Sequence, residues 1–508
     1  MIPTRCRRSS PPLMSIRIHD TLSRETHPFP RALEPGKVSM YLCGPDGLQR
    51  LPHRPPDGPW FDTIALLVRG ARLRVQLVVN ITDIDDKIIH KAQATGQAWN
   101  QVSEHYTEQY WNFLRELGVQ SITDSPHCTH YVDAMVRFIG ELIEKGRAYP
   151  AADGVYFRVL QQPGYGKLSG RRLEDMQAGA RVETQAGLEH PADFVLWKNA
   201  KPGEPSWPSP WGDGRPGWHI ECSVMSSAIM GPVFDIHGGG DDLKFPHHEN
   251  EIAQSEAHGD RFARLWMHHG LVQYGGRKIG KSDTRMQDAE FARQFNARYL
   301  LDTYGAPAVR FFLVRSPYRR PVDFEPSALD SARTGLVRLY RQLGERMDAP
   351  GPVDAAEVLA RPVGEAASQL RREFAEAMDE DFNTGEAIAA LFRLAALANG
   401  QEGGEQDQTL LLMRDLGRVL GLFQPGDLQA VEHAGLDSQG ELAELVGQVL
   451  AARGEARAQK DWGRADKLRD ALTAAGIAVL DGAAGTSFER VPGHQGDPIP
   501  VLRAALEG

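Results

Sequence analysis

Residues 73–86 read Leu73-Arg-Val-Gln-Leu-Val-Val79-Asn80-Ile-Thr-Asp-Ile-Asp-Asp86. The first seven are mostly apolar and rich in Val, broken only by Arg74 and Gln76, and read as a buried parallel strand. Upstream, Phe61 to Gly70 reads as a helix, and Val38 to Leu42 as a short strand running into Cys43-Gly44-Pro45. Downstream, Lys87 to Gly96 begins another helix. Strand, helix, strand, helix predicts a Rossmann-type, doubly wound α/β domain with its site at the carboxyl ends of the strands. The acidic run at 83–86 stands at such an end, so a capping or functional role competes with a solvated turn.

Working outward, residues 14–135 form the first half of this domain and 201–285 the second. Between them, 136–200 break the pattern: Val155 to Val159 and Phe194 to Trp197 are short strands amid turns, which predicts an inserted mixed domain. Pro205 to Gly217 reads as a loop. Arg310 to Arg320 (RFFLVRSPYRR) reads as a buried strand and a turn, or equally as a phosphate-contacting segment. After Asp323 the chain is mostly helical: Leu329 to Met347, Ala366 to Ala377, Glu386 to Asn399 and Gln408 to Leu422 have helical periodicity, with an all-α bundle over 346–430. Gly400 to Gln408 is read as a linker. Within 440–508, Leu442 to Ala475 is helical, with Arg453, Arg457, Lys460, Arg464, Lys467 and Arg469 crowded toward its second half; that pattern suits either an RNA-facing module or a solvated amphipathic face.

Bulk properties bound the rest. With 508 residues the chain exceeds one hydrophobic core. Four cysteines are too few for a disulfide framework and suit a reducing cytosol. No apolar run is long enough to cross a membrane. The net charge of −10 argues against indiscriminate nucleic-acid binding and leaves a shaped RNA partner open. The first thirteen residues, basic and rich in Pro and Ser, lack a signal-peptide core and are read as an extension ahead of a start at Met14.

The chemistry is densest between residues 215 and 251. Cys222, His247 and Glu251 supply thiolate, imidazole and carboxylate, the side chains that hold Zn²⁺. His247 and Glu251 are four apart and share a face on a helix. Gly238 to Gly240 let backbone pass close to a ligand. Cys43, at a strand end before Gly-Pro, is the natural fourth ligand, with His237, His248 and Glu249 as competitors. Lys278-Ile-Gly-Lys281-Ser282, after Gly275-Gly276, suits a mobile loop that grips phosphates. No His-Glu-x-x-His arrangement is present, which disfavours a zinc hydrolase.

These residues carry a close resemblance. Met40-Tyr-Leu-Cys-Gly-Pro45, Asn80-Ile-Thr-Asp-Ile-Asp-Asp-Lys-Ile-Ile89, Gly217-Trp-His-Ile-Glu-Cys222, Phe234-Asp-Ile-His-Gly-Gly-Gly240, Phe245-Pro-His-His-Glu-Asn-Glu251, Tyr318-Arg-Arg-Pro-Val-Asp-Phe324 and Met378-Asp-Glu-Asp-Phe-Asn383 resemble the class I cysteinyl-tRNA synthetases, from about Met14 to about Arg490. The resemblance implies one zinc on Cys43, Cys222, His247 and Glu251, beside an amino-acid pocket lined by Thr82, Trp218 and His237. It implies Gly44, Asp242 and Lys281 at ATP, with Mg²⁺ on the phosphates and Lys278, Lys281 and a signature histidine in the catalytic set. It also implies L-cysteine and tRNA(Cys) as partners, a stem-contact region at 286–345, an anticodon-binding bundle at 346–430, a small tRNA-binding module at 440–508, and a cytosolic monomer. The rivals are a cysteine-activating ligase for a small amine and a paralogue with an impaired ATP site.

The chain departs from that family at 46–60. There it reads Asp46-Gly-Leu-Gln-Arg-Leu-Pro-His53-Arg-Pro-Pro-Asp-Gly-Pro-Trp60, and His53 is the only candidate for the signature histidine. The phosphate loop has Ile279 and Gly280 where the family has Met and Ser. With suitable codons, a one-base shift across 46–56 reads Thr-Val-Tyr-Asn and then Pro-Ile-Gly-His, nearly the whole missing signature. A compensated frameshift accounts for both the altered text and the lost residue.

Overall fold

The computed structural model describes residues 16–29, 33–45, 58–70, 73–172, 188–279, 283–349, 351, 355–434, 441–482, 485–490 and 498–507. The buried runs of the sequence become strands at the centre. After an antiparallel pair, β1 (Arg17–Asp20) and β2 (Glu25–Pro28), come β3 (Lys37–Leu42), α1 (Gly58–Gly70), β4 (Arg74–Val79), α2 (Asp86–Thr95), α3 (Trp99–Glu116) and β5 (Ile122–Asp124). Then α4 (Val132–Glu144) leads into a four-stranded antiparallel insert of β6 (Ala148–Ala151), β7 (Gly154–Phe157), β8 (Phe194–Asn199) and β9 (Gly214–Pro216). The second half adds α5 (Trp218–Met230), β10 (Val233–Gly240), α6 (Glu249–His258) and β11 (Phe262–His269).

The central sheet is parallel, in the order β11-β10-β3-β4-β5. Winding runs from β3 outward to β5 and, after the insert, resumes on the other side at β10. The switch point therefore lies at the carboxyl ends of β3, β4 and β10, where open α/β sheets hold their ligands. The doubly wound core and an inserted mixed domain are as the sequence predicts, but the insert's sheet includes β9, inside the Pro205 to Gly217 stretch that the sequence reads as a loop; its three residues, Gly-Arg-Pro, carry no alternating pattern.

A hairpin of β12 (Val272–Tyr274) and β13 (Arg277–Lys278) follows, then α7 (Ala289–Arg293), α8 (Ala297–Tyr304), α9 (Ala306–Val314), and β14 (Val322–Asp323), which pairs in parallel with β12. The all-α region comprises α10 (Pro326–Leu343), α11 (Ala355–Ala360), α12 (Glu365–Asp379), α13 (Thr384–Ala398), α14 (Gly403–Val419) and α15 (Asp427–His433). One continuous core joins sheet to bundle, from Met40 and Leu77 through Phe311 and Leu336 to Leu391 and Leu416. A separate core that includes Val446 and Leu472 holds α16 (Glu441–Ala458), α17 (Trp462–Ala474) and α18 (Pro498–Glu507) beside the hairpin of β15 (Ile477–Gly482) and β16 (Gly485–Arg490). No helix among the described residues is long and apolar enough to cross a membrane.

Three other expectations change. Arg310 to Val314 is helix, not strand: α9 is buried all round, so it lacks the polar stripe that would have revealed its period. Arg310 is an internal ion-pair partner of Asp62 at 2.7 Å and not a phosphate contact. The linker over Gly400 to Gln408 is shorter than read, since α14 starts at Gly403, whose φ is +57°. Leu442 to Ala475 breaks in two at Lys460, which sits in left-handed backbone with φ +60°. Residues 1–13, His53 and most of 46–60 lie outside the described residues.

Candidate active site: a buried donor cluster at the strand ends

Each metal-ligand candidate is delivered by an element that ends at the switch point. Cys43 follows β3, Cys222 lies in the first turns of α5, His247 in the turn entering α6, and Glu251 in the first turn of α6. All four are buried, and their donor atoms lie within 4.8 Å of one another. Cys43 Sγ is 3.6 Å from Cys222 Sγ and 3.4 Å from Glu251 Oε1, and His247 Nε2 is 3.1 Å from Glu251 Oε1. A tetrahedral zinc with Zn–S of about 2.3 Å and Zn–N or Zn–O of about 2.0–2.1 Å sets donor–donor edges of about 3.3–3.8 Å. The donor set fits zinc in both spacing and chemistry.

The electrostatics agree. Burial, then the Cys222 thiol and the Glu251 carboxylate, push the Cys43 thiol well above its ordinary value. Burial also lifts Cys222, to about 11. Two thiols crowded out of water hold on to their protons; a dication inverts that preference.

A second grouping, Cys43, His237, His248 and Glu251, is equally compact. In it, His248 Nε2 lies 3.3 Å from Cys43 Sγ. His237 Nε2 bonds Glu251 Oε2 at 2.7 Å and its ring stacks on Trp266, while His248 Nδ1 meets His268 Nε2 at 2.8 Å. His237, bonded to a carboxylate of the cluster, suits the outer layer that orients ligands, whereas His248 keeps Nε2 turned to Cys43 and stays a competing donor. Glu249 is committed elsewhere, accepting from the Ser169 backbone at 2.9 Å and clamping the insert to α6. Gly238 and Gly239 find their use in packing: an added Cβ would meet Phe61 at 2.4 Å and Leu243 at 2.9 Å.

Around the cluster, Trp218 is 37% exposed and stacks on His247 with centroids 4.0 Å apart. His219 Nδ1 lies 2.8 Å from His247 Nδ1, which aims Nε2 at Glu251. Burial, reinforced by Lys198, pulls His219 down to about 3, so it stays neutral. Thr82 donates to Glu221 Oε2 at 2.9 Å. Asp242 is half-buried in the turn after β10. Gly44 is required by packing, since a Cβ there would sit 1.6 Å from the Asn80 carbonyl oxygen. Asn80, absent from the sequence-derived set, proves central: its Oδ1 accepts the Gly44 N–H at 2.9 Å and faces Cys222 Sγ at 3.7 Å. Its place at the end of β4, abreast of Cys43, was the signal available.

The acidic run resolves into structural jobs. Asp83 accepts from Thr129, Asp85 caps α2 through the Ile88 N–H at 2.7 Å, and Asp86 pairs with Lys198 at 2.6 Å and with Arg215. Lys278 ends the β12–β13 hairpin, whereas Lys281 lies outside the described residues.

A parallel sheet with its site at the switch point, an insert between its halves and a helical C-terminal region define a class I aminoacyl-tRNA synthetase, and residues 29–334 match the family described as the tRNA synthetases class I (C) catalytic domain. Residues 373–424 match the DALR domain and 439–487 the cysteinyl-tRNA ligase anticodon binding domain. Cysteine–tRNA ligases of Laribacter hongkongensis and Chromobacterium violaceum are each 44% identical to it, the first over 94% of this chain and 100% of its own length, the second over 93% and 99%. The solved LeuRS–tRNA–LeuAMS ternary complex from Agrobacterium radiobacter shares the fold, at a TM-score of 0.50 and 13% identity over 80% of this chain and 86% of that one. The chain belongs to the cysteine–tRNA ligase family.

Proposed function

We propose that this chain activates L-cysteine with ATP and Mg²⁺ to cysteinyl-adenylate and passes the cysteinyl group to the 3′ end of tRNA(Cys), with one zinc held by Cys43, Cys222, His247 and Glu251. The observation that carries the reading is the buried donor set at the switch point, two thiols, an imidazole and a carboxylate at zinc-like spacing. The bound metal supplies selection of a thiolate over the near-isosteric hydroxyl of serine, on ligand softness rather than shape.

The chain's own residues do the rest. Trp218 and Thr82 line the cysteine pocket, and His237 holds Glu251 from the far side. In the first step the cysteine carboxylate attacks the α-phosphorus and pyrophosphate leaves. In the second a terminal tRNA hydroxyl attacks the carbonyl and AMP leaves. Neither needs a strong general base, so positioning and charge neutralisation dominate. Gly44, Asp242 and Lys281 are assigned to ATP, Lys278 and Lys281 to the phosphates, and His53 to the nucleotide signature. The halves at 14–135 and 201–285 carry the chemistry around the insert at 136–200. Residues 286–345 meet the acceptor stem, the bundle at 346–430 binds the anticodon arm, and 440–508 adds a further tRNA contact, in a cytosolic monomer. The altered text at 46–60 is assigned to a compensated frameshift in the gene; an in-frame reading on resequencing overturns that.

Cysteine-dependent ATP–pyrophosphate exchange together with tRNA(Cys) charging tests the whole. Exchange without charging favours a small-amine acceptor. Cysteine binding without exchange favours an impaired ATP site.

A further inference from the structure

We propose that Asp323 is a positioning residue for the phosphate loop, fixing the β12–β13 hairpin turn, which precedes Lys278 and Lys281 in the chain. The inference rests on the reading of those lysines given above.

The turn at Gly275-Gly276 has both residues in left-handed backbone, φ +59° and +70°. Its two N–H groups donate to one carboxylate: Gly275 N to Asp323 Oδ1 at 2.9 Å, and Gly276 N to Asp323 Oδ2 at 2.8 Å. A bidentate anion on two successive amides is a charge-assisted lock, stronger than neutral pairing. The turn is otherwise exposed, so nothing of comparable strength holds it among the described residues.

Asp323 is itself fixed. It sits in β14, in register with Gln273 of β12, and the next residue, Phe324, donates its N–H to the Gln273 carbonyl at 2.8 Å. The segment before it is strapped to the bundle. Tyr318 Oη donates to Asp381 Oδ1 at 2.9 Å and Arg319 Nε to Asp381 Oδ2 at 2.5 Å, at the corner between α12 and α13. The Tyr318 carbonyl takes the Gly270 N–H at 2.8 Å, and only glycine fits there, since a Cβ would lie 2.2 Å from the Arg320 backbone. The bundle corner thus reaches the phosphate hairpin through one short strap, residues 318–324, with Asp323 as its last link.

Amide hydrogen exchange on the full-length zinc-loaded protein, with and without ATP and Mg²⁺, tests this. In Asp323→Ala the Gly275 and Gly276 amides exchange about 10- to 100-fold faster, as expected for losing a hydrogen bond to a charged acceptor. Asp323→Asn, which keeps an acceptor oxygen, falls between. ATP protection of residues 275–281 weakens in Asp323→Ala, and the kcat of pyrophosphate exchange falls about 10- to 100-fold. Zinc content and the KM for cysteine, both set elsewhere, do not move; a merely structural role would move them together with melting temperature. Unchanged exchange at Gly275 and Gly276, or undiminished ATP protection, overturns the inference. Lys278→Ala separates the two layers. If it abolishes ATP protection while Asp323→Ala does not, only the role of Asp323 fails. If ATP protects nothing in the unaltered protein, the reading of the loop fails and takes the inference with it.

Discussion

Two of the places where the molecule buries ionisable groups behave oppositely. Around Arg310 every charge is answered. Its guanidinium donates to Asp62 at 2.7 Å and to the Leu117 and Leu420 carbonyls at 2.9 and 3.2 Å. Asp62 in turn accepts the Gln120 and Ser121 N–H groups at 2.9 Å. Gly421, at φ +72°, gives the guanidinium room that a Cβ would fill at 2.0 Å. That network ties α1, α3 and α9 to the end of α14. At the strand ends, two thiols and a carboxylate meet instead, and among the described residues the ion-pair partners of Glu251 are all histidines. A balanced buried cluster joins parts of a fold. One with surplus acid is built for something that arrives from outside.

The contrast breaks most sharply at Cys222. Cys222→Ser removes a soft donor, and metal retention falls by more than the about 100-fold that loss of an outer partner costs, with cysteine-dependent exchange following. Metal analysis after dialysis reads the first and pyrophosphate exchange the second. If zinc stays, the cluster is not the metal site. Arg310→Met does the reverse. It leaves Asp62 buried without its cation and costs about 3–5 kcal/mol of stability, read in urea unfolding, while zinc stoichiometry stays at that of the unaltered chain. A smaller effect sharpens the division between ligand and support: His237→Gln weakens zinc affinity about 10- to 100-fold without abolishing binding, measured by chelator competition.

Asp86 gives the smallest effect. Burial pushes its carboxyl up, but Lys198 and Arg215 outweigh that and hold it at about 2. A depressed carboxylate stabilises the fold above its unfolded value of about 3.9 and loses that contribution as pH falls toward 2. The group is half-exposed, so the slope in that window amounts to less than about 1 kcal/mol and disappears in Asp86→Asn. A dependence centred near neutrality would assign it to another group.

The first half of the sheet was legible because its strands are mostly apolar stretches ending in a turn, as in Val38 to Leu42 and Leu73 to Val79. The candidate metal donors were legible because zinc restricts side-chain type so tightly. What stayed hidden depends on tertiary neighbours. Arg310 could be read as a phosphate contact because its partner lies 248 positions away. Asn80 carries no chemical signature, and its importance comes from standing beside Gly44 and Cys222 once β3 and β4 pair. The break at Lys460 depends on a single backbone torsion that no composition announces. Glu249 matched the metal pattern by type, and its bond to the Ser169 backbone sets it apart from the donor cluster, whereas His248 still faces Cys43 through Nε2.

The strand order carries a consequence for synthesis. β3 lies between β4 and β10 in the finished sheet, but β10 is separated from it by the first half-domain and the whole insert. A nascent chain that has left the ribosome as far as the insert presents Val38 to Leu42 as a raw edge, apolar and unpaired along one side. Such edges invite pairing with other chains. The interval until Gly240 emerges is when this protein is most open to aggregation, and a chaperone that shields the β3 edge would do most for its yield.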